Sequence, residues 1–238
     1  VLPGAIFASV LISRFAQAER SRFQQEAREV ASTAASVLDQ HIRGWQATLQ
    51  TLGTSENLRS GNLEAFYRQA LAVKTFIGAD IGLRDLDGQQ LVNTRQVFGR
   101  PLPRTPMGVD RQIISSQKPY VADVFTGAIA NEPLVAVVVP VSIGGVPRYL
   151  LHVSAETKLF YDLIRTVPPP GWFVAVGDRA GVYVTRSEQH EAFTGRPGVP
   201  AFLERAVGRD GTFVGQSAHG ENILVGYARS EVSDWLIA

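Results

Sequence analysis

The 238-residue sequence has no cysteine, so neither a disulfide framework nor a thiolate nucleophile or metal ligand is available to it. An excess of charge is also missing: 23 basic side chains face 22 acidic ones. A net charge of +1 gives no global attraction to nucleic acid, and no nucleic-acid partner is expected. No apolar run reaches the about 20 residues that a membrane-spanning helix needs. There is no His-Glu-x-x-His pair and no glycine-rich phosphate loop, and His41, His152, His190 and His219 are too scattered for a zinc pattern. Asp85, Asp87 and Asp178 sit in turns that their side chains favour, at a spacing unlike an EF-hand loop. Ser187, Glu188 and His190 unite a nucleophile, an acid and a base, but no elbow motif surrounds the serine, and a polar turn explains them better. A non-catalytic chain with no metal and no cofactor is therefore expected.

What is present is an organised alternation of periodicities. Residues 1–12 are uncharged and apolar; they are read as the end of a truncated transmembrane helix, against the alternative of a buried helix in a soluble protein. Arg14, Arg20 and Arg22 outnumber Glu19 just beyond, which is not the usual flank of an outward-facing segment. From Ser13 to about Asn57, apolar residues recur at steps of three and four, including Phe23, Ala27, Val30, Ala34, Leu38, Ile42, Trp45, Leu49 and Leu52. The stalk helix they predict is roughly 57 Å long between Phe15 and Leu52 at 1.5 Å per residue, which exceeds one small domain. It must therefore run beside two modules or pair with a second copy, and a homodimer through this helix is expected. A shorter amphipathic helix follows at Asn62–Thr75.

Strands then dominate. Phe76–Arg84 and Gln89–Thr94 form a hairpin, followed by strands at Tyr120–Phe125, Leu134–Ile143 and Val146–Ala155 and a helix at Thr157–Val167. Pro168-Pro169-Pro170-Gly171 marks a boundary. Past it come strands at Trp172–Gly177, Val182–Arg186, Thr212–Gln216 and Ile223–Ala228, a helix at Pro200–Val207, and a last strand at the end. The first half contains Asp85, Gly88, Thr94-Arg95 and Phe98-Gly99-Arg100-Pro101; the second repeats the order as Asp178, Gly181, Thr185-Arg186, Phe193 and Gly195-Arg196-Pro197. Two copies of one antiparallel α+β module are predicted, strung along the long helix. The expected division is 1–12 membrane segment, 13–61 stalk, 62–167 first module and 168–238 second module.

The stretches Ile81–Gly88, Val121–Gly127, Val137–Val141, Phe173–Gly181 and Tyr227–Trp235, in that order, resemble the double Cache (tandem PAS-like) sensor region of bacterial transmembrane receptors, chiefly histidine kinases and diguanylate cyclases. The resemblance implies an α+β fold of two PAS-like modules. It places them outside the bacterial inner membrane between two membrane helices, with a small-molecule pocket in the membrane-distal first module. Many amino-acid-binding members carry an arginine followed by Trp-Tyr, a tyrosine, and a closing aspartate. Arg111 and Tyr120 match the arginine and tyrosine, but Ile113-Ile114 replaces the aromatic pair and Ser154 or a neighbour stands for the aspartate. Without that acid the ammonium group of an amino acid has no partner.

Between Arg95 and Lys118, five basic residues, Arg95, Arg100, Arg104, Arg111 and Lys118, meet one acid, Asp110. Guanidinium forks bind carboxylates, so a small organic anion is the ligand class expected, with a solvated loop as the bland reading. Tyr120, Asp123 and Thr126 on the adjacent strand are candidate hydrogen-bonding groups. Alternation adds Arg148 and His152 if their strand face lines the pocket. The competing expectation is a structural or protein-interaction module whose pocket is filled by its own side chains.

Overall fold

The computed structural model describes residues 2–217 and 220–238, with side chains from Leu11 onward. His219 and residues 1–10 of the segment read as the end of a membrane helix lie outside what is described at side-chain level. No helix among the described residues is long and apolar enough to cross a membrane.

Helix α1 (Leu2–Gly53) is the frame of the molecule. Ala27, Ala31, Ala34, Leu38, Ile42, Trp45, Leu49 and Leu52 are buried along one stripe, as the three-four spacing predicts. The helix stops at Gly53 rather than near Asn57, because Ser55 caps a separate turn α2 (Glu56–Arg59) through a bond from the Asn57 amide to its hydroxyl. Asn62 caps α3 (Leu63–Ile77) in the same way. Phe76, expected to open the first strand, belongs to the last turn of α3 and is exposed. Gly78, at φ 66°, ends that helix in the left-handed conformation that glycine adopts without penalty.

The first sheet contains β1 (Asp80–Arg84), β2 (Gln90–Asn93), β3 (Tyr120–Val121), β4 (Phe125–Thr126), β5 (Pro133–Ile143) and β6 (Val146–Glu156), with the helix α4 (Asp110–Ser116) in the connection that the sequence left without an element. Its order is β2-β1-β6-β5-β3, with β4 also pairing with β5. After α5 (Thr157–Ile164) the second sheet uses β7 (Ala175–Gly177) and β8 (Tyr183–Arg186). The short helices α6 (His190–Phe193) and α7 (Pro200–Arg205) follow, and then β9 (Asp210–Gln216), β10 (Asn222–Arg229) and β11 (Leu236–Ile237) complete it. Its order, β8-β7-β11-β10-β9, repeats that of the first sheet, and every pairing is antiparallel. The expected α+β fold of two related antiparallel modules on one long helix is thus what forms.

The repeated residues occupy equivalent places. Asp85 accepts the amides of Asp87 and Gln89, and Asp178 those of Ala180 and Val182, while Gly88 and Gly181 take positive φ in the two turns. One face of each sheet packs on α1: Ile81, Val137 and Val153 from the first, Val176, Val184 and Ile237 from the second, in one continuous core with Leu38, Ile42 and Trp45.

The contact between helix and second sheet is tightest at Gly226 of β10, where a β-carbon would lie 2.2 Å from the carbonyl carbon of Ala27. Gly226→Val is expected to lower stability by about 1–3 kcal/mol, as overpacking does. Urea denaturation of both proteins measures the difference.

Candidate functional site

The opposite face of the first sheet carries a cavity of about 400 Å³. Alternation along β1 sends Ile81 and Leu83 to the helix and leaves Gly82 and Arg84 for this side; along β6 it leaves Leu150, His152 and Ser154. The loop around Thr105 and Met107 and the turn Thr126–Ala130 close it. Apolar walls come from Phe125, Ile129, Leu134 and Val138, and Gln90 and Asn93 add amides. Three guanidiniums line the cavity, those of Arg84, Arg95 and Arg104, and no carboxylate does.

These arginines differ in what already neutralises them. Arg84, 2% exposed, donates two 2.7 Å bonds to the Asp110 carboxylate at the start of α4 and a third, 2.8 Å, to the Thr105 carbonyl. Asp110 also accepts the Met107 amide, so one buried ion pair ties sheet, loop and α4 together. Arg95 lies 3.2 Å from Asp80 and 3.7 Å from each of Glu132 and Glu156. Among the described residues Arg104 meets no carboxylate; its Nε donates to the Asp87 carbonyl, and the residue is exposed at the rim. On the floor, His152 stands opposite Gly82 in the ladder, where a β-carbon would fall 2.4 Å from the imidazole. Burial, and then the neighbouring Arg84 charge, lower its pKa to about 3, so the ring is neutral.

Of the residues singled out in the sequence, Arg95, Arg104, Thr126 and His152 come together around the cavity. Four do not. Arg111 is exposed on α4 and is not part of the lining. Arg148 is exposed beside the β5–β6 turn, because the register slips between Val141 and Ser142 and leaves it without a cross-strand partner. Tyr120 and Asp123 serve a different contact, between the modules. Arg179, on the β7–β8 turn, donates to the Tyr120 hydroxyl (2.8 Å), the Val121 carbonyl (2.7 Å) and Asp123 (3.2 Å). Trp235 donates its indole N–H to Asp123 at 3.3 Å, and the Val124 amide donates to Asp178. Arg84, Gln90 and Asn93 were missed, and the two-residue alternation of β1 was the signal available for Arg84; Ser154, placed beside His152 by the alternation of β6, does line the cavity.

The matching face of the second sheet is covered instead. Leu203, Phe213 and Tyr227 pack over it, and Arg186, the counterpart of Arg95, stacks on the rings of Phe193 and Phe173 at 4.1 and 4.7 Å.

No protein-family model and no curated protein matches the chain. Solved structures do. The extracellular domain rpHK1S-Z16, assigned to a histidine kinase, superposes with a TM-score of 0.75 at 16% identity, over 94% of this chain and 93% of that one. The ligand-binding domain of the Pseudomonas aeruginosa amino-acid chemoreceptor PctB, solved with L-Arg, gives 0.68 at 14% identity, over 91% and 94%. The sensor domain of the Vibrio cholerae histidine kinase DctB gives 0.65 at 13%, over 92% and 96%. The chain has the tandem-module fold of these receptor sensor domains along nearly its whole length.

Two outcomes test the site's construction. Asp110→Asn leaves the Arg84 guanidinium buried without its counter-charge and should cost about 3–5 kcal/mol in urea denaturation, whereas Arg84→Met with Asp110→Leu should recover most of it. The lowered His152 pKa means that the unfolded chain takes up a proton which the folded one refuses. This contribution to stability is complete above about pH 6.5 and is lost as pH falls toward 3. His152→Gln should flatten the acid loss between pH 6 and pH 4 by up to about 1.4 kcal/mol per pH unit.

Proposed function

We propose that the chain is an extracytoplasmic sensor region of a bacterial membrane receptor, which binds a small organic anion in the first module and relays its presence to a kinase or cyclase output. The observation that carries this reading is the cavity whose charged lining is guanidinium alone, with Arg104 free of any carboxylate among the described residues. An amino acid also needs an acid for its ammonium group, and the floor offers Ser154 and neutral His152 instead. Chemoreceptor domains solved with amino acids share the fold, which supports small-molecule sensing by this one while leaving ligand choice to its own side chains.

The relay has a physical basis in the same segment. Phe125 and Thr126 line the cavity, and Asp123, two residues earlier, is held by Arg179 and Trp235 of the second module. The adjoining Ser230 and Glu231 bond to Asp39, a buried acid on α1. A ligand that shifts the 123–126 segment therefore acts on the second module and on the stalk, whose pairing with a second copy would carry the signal onward. The division into a stalk over residues 13–61 and modules over 62–167 and 168–238 belongs to this proposal.

A thermal-shift screen of dicarboxylates, other organic acids and amino acids tests it. Anions are expected to raise Tm, and Arg104→Ala to weaken a confirmed anion tenfold to a hundredfold by calorimetric titration, equivalent to about 1–3 kcal/mol. Stabilisation by amino acids alone would overturn the anion assignment, and no hit in any class would favour a ligand-free interaction module.

A further inference from the structure

The floor of the first-module cavity is divided into a polar and an apolar half. One cross-sheet row reads Asn93 on β2, Gly82 on β1, His152 on β6 and Val138 on β5, each opposite the next in the antiparallel ladders. On the β1–β2 side stand Arg84 and Gln90, paired across the ladder, with Arg95 just past β2 and Arg104 bridged to Gln89. On the β4–β5 side stand Phe125, Leu134, Ala136 and Val138, closed by Ile129 of the turn. The exposed Thr126 supplies the one polar side chain there among the described residues. Between the halves lie Ser154 and the neutral ring of His152.

The polar half has little charge left to offer. Arg84 is matched by Asp110, and Arg95 lies against Asp80, Glu132 and Glu156, which leaves Arg104 without an acid among the described residues. One carboxylate is therefore matched at this end. The second carboxylate of a diacid would rest against Phe125, Ile129 and Leu134, where apart from the Thr126 hydroxyl no side-chain donor replaces its water. Two strand spacings, roughly 10 Å, separate β1 from β5, so a body of about five to eight carbons reaches across the floor.

Given an organic-anion site in this module, as proposed above, we infer that its ligand class is the monocarboxylate with an apolar body. The carboxylate pairs with Arg104 on the β1–β2 side, and a branched-chain or aromatic body lies across His152 against Phe125, Ile129, Leu134 and Val138. Burial of that body, rather than a second ion pair, supplies the affinity and the discrimination.

Calorimetric titration of the chain with 3-phenylpropanoate, 4-methylpentanoate, acetate and succinate tests this. The two apolar acids are expected to bind at least about tenfold more tightly than acetate or succinate. Ile129→Ser, at a partly exposed turn position, and Val138→Thr, which keeps the shape of the side chain, should each weaken the apolar acids about threefold to tenfold more than they weaken acetate, whereas Arg104→Ala weakens every acid. The melting temperature of each variant without ligand reports whether it is folded. Succinate binding as tightly as 3-phenylpropanoate, in a manner that depends on Arg104, overturns the inference and leaves the organic-anion reading in place. Apolar-acid binding that neither Ile129→Ser nor Arg104→Ala weakens belongs to another surface and overturns it as well. Absence of binding by any acid overturns both readings.

Discussion

One helix serves as the wall of two sheets, and the remainder of the molecule is arranged around that constraint. Leu38, Ile42, Trp45 and Leu49 of α1 pack in the same core as Val137 and Val153 of the first sheet and Val176 and Ile237 of the second. Because interiors are close-packed, neither sheet can slide along the helix without opening voids. The close approach of Gly226 to Ala27 and the bonds from Ser230 and Glu231 to Asp39 fix the second sheet's position on it. Each sheet spends one face on this contact, and in the first module the arginine-lined cavity lies on the other.

What distinguishes the two free faces is the size and pairing of a few side chains. In the first module a glycine at 82 and a histidine at 152 leave room on the floor, and the Arg84–Asp110 pair props the α4 loop above it. In the second, Leu203, Phe213 and Tyr227 fill the equivalent volume. A duplicated scaffold thus leaves space for a ligand on the free face of the first sheet and covers the free face of the second with its own side chains. The polar contact between them, Arg179 against Tyr120, Val121 and Asp123, joins the wall of the space to the filled module.

Much of the fold was legible because hydrophobic periodicity records which face is buried, whatever it is buried against. The long helix, both hairpins and the internal repeat were all visible in this way. Boundaries were read less well where a local cap decided them, as at Ser55 and Gly78, and α4 was missed because seven residues give little periodic signal. For the site, the cluster of arginines was apparent but its direction was not. Arg111 and Arg148 carry the same charge as Arg104 yet point to solvent, one on a helix surface and one at a register slip.

The sequence by itself determined the α+β class, the duplication and the basic character of the connection between Arg95 and Lys118, since composition and period are local properties. Only the tertiary structure decided which of those charges are spent on internal partners. Arg84 is matched by Asp110, 26 residues away, and Arg95 by Asp80, Glu132 and Glu156, while Arg104 meets no acid among the described residues. It also turned Tyr120 and Asp123 from ligand candidates into the joint between modules, because their partner Arg179 lies on a turn of the second module. Pair energies depend on distance through the folded chain, and a sequence specifies separation along the chain instead.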